Sequence, residues 1–183
     1  IAVGTAALLG YRLPENFNSP YLSRNPSEFW RRWHISLSAW FRDYVFLKLS
    51  FVTSRRLGPG RRWGMRADLV VYIAATMATM LVCGLWHGAN WTFVLWGGIH
   101  GALLVGHRVL TKRRATVLTG DAPYRFSWSA LLLFQFVALS FVLFRAPTFA
   151  IASEFLAQIA RLPSRVAARA VTPGHLFVVA MVS

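Results

Sequence analysis

Leu69-Val70-Val71-Tyr72-Ile73-Ala74-Ala75-Thr76-Met77-Ala78-Thr79-Met80-Leu81-Val82-Cys83-Gly84-Leu85-Trp86-His87-Gly88-Ala89-Asn90-Trp91 decides how this chain folds. Residues 69–86 carry no Asp, Glu, Lys or Arg and supply the roughly 17–25 apolar residues that a helix needs to cross a bilayer. Gly88 and Asn90 then break the run, and a second apolar stretch occupies residues 91–110. His87 stands at the junction. An unsatisfied polar group at membrane depth costs several kcal/mol, roughly, so an imidazole placed there faces a protein interior or a wet path. His87 is therefore the first candidate functional residue.

Composition agrees with a membrane protein. The chain is 56% hydrophobic and 15% aromatic, with eight Trp, above the roughly 45–50% apolar share of soluble domains. Its formal net charge is nevertheless +14. In a soluble protein that excess would point to nucleic acid. Here the basic residues cluster between apolar runs, as in cytoplasmic loops and juxtamembrane segments, so nucleic acid is not an expected partner and membrane lipid is. The single cysteine, Cys83, excludes an intrachain disulfide and a Cys-based zinc site, and reads as a small buried hydrophobe.

Upstream, residues 10–27 contain Pro14, Asn16, Asn18, Pro20, Asn25 and Pro26, too many breakers for a continuous helix. Asn25-Pro26-Ser27-Glu28 reads as a helix start, with proline in the first turn and an acid near the positive end of the dipole. The pattern predicts one helix over about residues 27–51. On a wheel, Phe29, Trp33, Leu37, Trp40 and Tyr44 form an aromatic stripe, Arg31, Ser38 and Arg42 a polar face, and His34 the border between them.

The turn-rich basic segment from Ser54 to Arg62 is expected on the cytoplasmic side. Residues 69–86 then run outward, 91–110 run back, and Lys112, Arg113 and Arg114 lie inside again. A third crossing at 129–144 would leave Arg161, Arg165 and Arg169 outside, against the positive-inside rule. An interfacial helix over about residues 149–169, or an earlier re-entrant element, removes the conflict. The chain starts at Ile1 inside an apolar stretch and ends as residues 175–182 turn apolar again. The expected organisation is a single membrane-domain fragment, residues 1–183, lacking the N-terminal part and truncated at its C-terminus.

Pro14-Glu15-Asn16-Phe17-Asn18-Ser19-Pro20-Tyr21, Ser27-Glu28-Phe29-Trp30-Arg31-Arg32-Trp33-His34-Ile35-Ser36-Leu37-Ser38, Phe41-Arg42-Asp43-Tyr44 and Gly84-Leu85-Trp86-His87-Gly88-Ala89-Asn90-Trp91 resemble the membrane-bound O-acyltransferases. The similarity is greatest to the branch with alginate O-acetyltransferase and teichoic-acid D-alanyl transferase, and it covers residues 1 to about 145. It implies an all-α, multi-pass transmembrane fold of which this chain is an incomplete C-terminal portion. It also implies residence in the bacterial cytoplasmic (inner) membrane, a catalytic role for His87 in its Trp-His-Gly context, and a partner role for His34. An exported polysaccharide such as alginate would be the acceptor, and the alginate system implies periplasmic acetyltransferase partner proteins.

The chemistry can be stated from the residues themselves. Transfer of an acyl group from a thioester to a sugar hydroxyl needs a base, donors for the developing oxyanion and a site that excludes water. His87 suits the base, because Leu85, Trp86 and Trp91 favour a neutral imidazole. His34 is suited to orient the acceptor, relay the proton or steady the oxyanion. Asn90 is a candidate neutral donor, and Arg31 and Arg42 a candidate basic rim for an anionic donor or polysaccharide. The expected donor is acetyl-coenzyme A or a carrier-bound thioester acting as substrate, with no bound cofactor and no metal. Each residue also has a plainer reading: His87 as a helix-end residue bonded to a carbonyl, His34 as a loop tether, Arg31, Arg32 and Arg42 as headgroup anchors. His100 and His107 read as satisfied core or interfacial histidines. The alternative function is a transporter or channel subunit whose pathway His34 and His87 line.

Overall fold

The computed structural model describes residues 2–111 and 127–170. Helices α1 (Ala2–Leu8), α2 (Pro26–Arg32), α3 (Ile35–Phe41), α4 (Leu47–Leu57), α5 (Ala67–Trp86), α6 (Trp91–Leu110), α7 (Trp128–Arg145) and α8 (Phe149–Ala170) follow one another, with a π-helical turn, Arg42–Phe46, joining α3 to α4. The strands among the described residues are β1 (Arg61–Arg62) and β2 (Met65–Arg66), an antiparallel hairpin pairing Arg61 with Arg66. Helices α5, α6 and α7 are each long and apolar enough to cross a membrane. The architecture is thus the expected all-α, multi-pass one. The basic run at 112–114 and the apolar run at 175–182 lie outside the described residues.

Glycine sets the distance between α5 and α6. A Cβ on Gly84 would collide with the carbonyl of Phe93, and one on Gly97 with the carbonyl of Met80. On Gly101 it would sit 3.0 Å from the Met77 sulfur. Backbone therefore lies directly on backbone, the close packing that small residues permit between membrane helices, where lipid supplies no hydrophobic drive. The two helices are antiparallel, joined by the short His87 turn. At the far end Arg108, late in α6, lies over the Tyr72 ring near the start of α5, 5.7 Å from its centroid. The α4–α5 hairpin adds Arg61, Arg62 and Arg66 to that end, so positive charge collects opposite the His87 turn. Helix α7 ends beside that turn, where the Asn90 side chain donates to the Pro147 carbonyl at 2.9 Å.

The predicted helix start is present. The Asn25 side chain accepts the Glu28 amide at 2.9 Å, Pro26 opens α2, and the Glu28 carboxylate accepts the Arg24 amide at 2.9 Å and pairs with Arg32 at 3.0 Å. The predicted continuous helix over 27–51 is not. The chain breaks at Trp33 and His34, where His34 adopts φ 42° and ψ 60°, the left-handed region that costs an L-residue roughly 1–2 kcal/mol. Consequently the aromatic stripe splits. Phe29 and Trp33 stack on each other (5.5 Å) and pack with Leu133, Val137 and Phe141 of α7. Trp40 and Tyr44 also stack (5.4 Å) but stay about half exposed.

Helix α8 occupies the region expected to hold an interfacial helix, and it is not among the three spans. Between α3, α5, α6 and α7 a second core cluster forms from Phe41, Cys83 and Trp96, with Phe144 against it.

Candidate active site

A broken helix leaves backbone amides and carbonyls that need partners outside its own ladder. The segment before α2 supplies the partners. Asn16 accepts the Ile35 amide on its carbonyl (2.8 Å), and its side-chain oxygen accepts the Ser36 amide (3.0 Å) and the Ser36 hydroxyl. Asn18 donates its amide to the Arg32 carbonyl at 3.0 Å, and Ser38 returns its hydroxyl to the Trp33 carbonyl at 2.9 Å. Strain of this kind persists only where surrounding structure fixes it, and it concentrates at functional sites. The proline- and asparagine-rich stretch, too broken for a continuous helix, is thus the clamp that holds His34. Its signal in the sequence was the pair Asn16 and Asn18 among prolines.

His34 itself is half-buried, its Nδ1 is buried without a hydrogen-bond partner, and the Phe17 ring lies 5.7 Å away. His87 follows the last residue of α5, its amide bonded back to Gly84 at 3.1 Å. Gly88 next to it has φ 152° and carries Phe93 where a Cβ would sit, which fixes glycine at that position. Aromatic rings enclose the imidazole: Phe144 at 4.7 Å, Trp86 at 4.8 Å, and Trp96 at 5.6 Å and perpendicular to it. Burial first, and the charge on His34 second, hold the His87 imidazole below its ordinary value. The two histidines, far apart in sequence, therefore share one electrostatic environment. Desolvation and a like charge both favour the neutral ring, the form that accepts a proton.

Asn90 has structural work at both ends of its side chain. Its oxygen caps α6 by accepting the Thr92 amide at 3.1 Å, while its nitrogen holds Pro147. Arg31 and Arg42 meet elsewhere, on a cavity of about 490 Å³ between α2, α3, the π-helical turn and α5. Trp30, Phe41, Phe46, Tyr72 and Met80 make that cavity largely apolar, and Thr76 contributes a buried hydroxyl with no partner. Arg42 also pairs with Asp43 at 2.7 Å. The cavity does not include His87. Cys83, one helical turn before His87, is part of the cavity's lining and packs on Trp96, which contacts His87.

His100 is buried with its Nε2 3.0 Å from the Ser140 hydroxyl, so the core reading given to it from sequence holds. Among the described residues no three His, Cys, Asp or Glu side chains converge as metal ligands would.

Three helices able to cross a membrane, with one imidazole at the end of the first among aromatic rings and another on a strained helix break, define an integral membrane protein. The sequence identifies which kind. Residues 1–146 match the profile of the membrane-bound O-acyltransferase family, and the chain belongs to that family. It is 40% identical over 146 residues to the probable alginate O-acetylase AlgI of Azotobacter vinelandii, a match that takes in 80% of this chain and 26% of that protein. The peptidoglycan O-acetyltransferase of Helicobacter pylori is 34% identical over 146 residues (80% and 25%), and the teichoic acid D-alanyltransferase of Bacillus subtilis 32% over 156 residues (81% and 36%). The chain thus spans about a quarter to a third of the length of these relatives.

Proposed function

We propose that this chain carries the reaction centre of a bacterial inner-membrane O-acyltransferase. The enzyme takes an acyl group, acetyl in its physiological reaction, from a thioester on the cytoplasmic side and transfers it to hydroxyls of an exported polysaccharide of the alginate type. The observation that carries the reading is the coupling of His87, enclosed by rings and held neutral, to His34, whose strained backbone the Asn16 clamp maintains. Names of relatives that acetylate alginate or peptidoglycan, or alanylate teichoic acid, support a glycan or polyol acceptor.

In this reading His87 takes the proton of the acceptor hydroxyl as its oxygen bonds to the thioester carbonyl carbon. Collapse of the tetrahedral intermediate breaks the C–S bond, and His87 returns the proton to the leaving thiolate. General-base help of this type contributes about 10²- to 10⁴-fold. His34 orients the acceptor and, through its charge, keeps His87 unprotonated. Aromatic walls exclude water that would otherwise hydrolyse the thioester. The Arg31 and Arg42 cavity, whose lining includes Cys83 one turn of α5 before His87, suits the anionic end of the donor. Exported polysaccharide and periplasmic acetyltransferases are the partners on the far side.

Full-length protein in sealed membrane vesicles, supplied with an acetyl thioester labelled in the acyl group, tests the proposal. Label should appear as ester on the polysaccharide with release of free thiol. Polysaccharide or solute movement that needs no thioester, with no ester formed, would favour the His-lined pathway instead.

A further inference from the structure

Helix α6 presents three buried polar side chains in register, Thr92, Trp96 and His100, exposed to 1%, 3% and 1%. Spaced four apart, they share one face of a membrane-spanning helix. Such groups are costly in a membrane unless they are paired or used. His100 is paired. Ser140 donates its hydroxyl hydrogen to the Val137 carbonyl (2.7 Å), so the 3.0 Å contact with His100 requires His100 to donate through Nε2. Thr92 Oγ1 and Trp96 Nε1 have no partner. For Thr92 the reason is local, because the residue four positions earlier is Gly88, outside the helix, and offers no helical carbonyl below it; Thr79 in mid-helix bonds back to Ala75. For Trp96 no such reason exists.

Four rings fix the indole in place. Its ring is perpendicular to His87 at 5.6 Å, tilted against His100 at 4.7 Å, and edge-on to Phe144 at 5.3 Å and Trp30 at 6.0 Å. Gly97, the next residue, lies on the Met80 carbonyl, so α6 cannot shift to give the indole an acceptor. An indole N–H only donates, and it neither gains nor loses a proton in the range where His87 works. A fixed, dry, neutral donor beside a base is what a carbonyl oxygen requires as it becomes negative.

We infer that Trp96 is an oxyanion donor: its Nε1–H meets the acyl carbonyl oxygen in the site beside His87. This rests on the acyl-transfer reading above. As the acceptor oxygen bonds to the carbonyl carbon and its proton passes to His87, the carbonyl electron pair moves onto oxygen, and Trp96 holds that charge until the C–S bond breaks and the thiolate takes the proton back.

The test compares wild-type full-length protein in vesicles with Trp96→Phe and with 3-benzothienylalanine installed at position 96, which keeps the two-ring shape and replaces N–H by sulfur. Both variants should lose about 10²- to 10³-fold in kcat, with the donor KM and the pH profile unchanged, the loss seen when one oxyanion donor is removed. Wild-type kcat in the benzothienyl protein, with His87→Ala inactive beside it, overturns the donor role and leaves the acyl-transfer reading intact. Transfer that survives in His87→Ala overturns both.

Discussion

The Asn16 carbonyl accepts the Ile35 amide at 2.8 Å, which ties the residue after His34 to a loop that precedes the helix it interrupts. The Asn16 side chain adds a cap on Ser36 at 3.0 Å, where the first turn of α3 would otherwise leave its amide open. His34 is thereby set by two separate stretches of chain. Asn16→Ala removes the side-chain part of the clamp and should cost about 1 kcal/mol of stability, the usual cost of losing such a cap. Activity should fall further, by about 10- to 100-fold, since a displacement near 1 Å at a reacting group costs that much. Thermal unfolding in detergent and the vesicle assay measure the two effects side by side.

Backbone strain at His34 gives a prediction of opposite sign for two similar variants. Glycine adopts φ 42° freely and alanine does not. His34→Gly should therefore be more stable than His34→Ala by roughly 1 kcal/mol, while both lose the imidazole and its activity. Equal melting temperatures would show that the left-handed conformation carries no strain.

The α5–α6 contact makes a similar distinction between neighbours. A Cβ at Gly97 strikes the Met80 carbonyl, whereas one at Gly98 would rest 3.5 Å from a Leu81 methyl, an ordinary contact. Gly97→Ala should destabilise by about 1–3 kcal/mol, as overpacking does, and Gly98→Ala by almost nothing. Melting curves of the full-length variants read this directly.

His87 is held below its ordinary value by burial and, to a smaller degree, by His34. A base must be deprotonated, so activity should fall on the acid side as pH drops through that lowered value and stay flat above it. Replacing His34 with Gln removes a like charge that opposes protonation, so the acid limb should move to higher pH. A limb that moves down or stays fixed would mean that the two rings are not coupled.

Arg31 and Arg42 lie on the apolar cavity and not against His87. Arg31→Gln should therefore raise the donor KM several-fold and leave kcat within about twofold, since a charge remote from the reacting atoms contributes to binding equally before and during reaction. Steady-state kinetics over a donor titration separates the two constants.

The spans were legible because an uninterrupted apolar run has few folded options in a membrane. Residues 91–110 match α6 at both ends, and α5 begins only two residues before the predicted 69. The break at His34 was not legible. A wheel adds the same angle for every residue, and nothing in Trp33-His34-Ile35-Ser36 marks a left-handed position as a glycine would. What breaks the helix is a tertiary clamp from Asn16 and Asn18, contacts that local pattern does not encode. In the site, residue type and context single out His87 and His34, and what links them is the smaller, electrostatic part of the lowering at His87. Arg31, Ser38 and Arg42, one polar face on the wheel with His34 at its border, do line one space together, a cavity that does not include His34. A tryptophan in an apolar run reads as packing; what distinguishes Trp96 is a buried, unpartnered N–H on a ring that packs against His87.

O-acetyl content of the exported polysaccharide tests the role of His87 most directly, in cells carrying the full-length protein as wild type or as His87→Ala at matched membrane levels. Loss of O-acetylation at equal protein is the predicted result. Acetylation retained at the wild-type level in His87→Ala would contradict it and return His87 to a structural role at the end of α5.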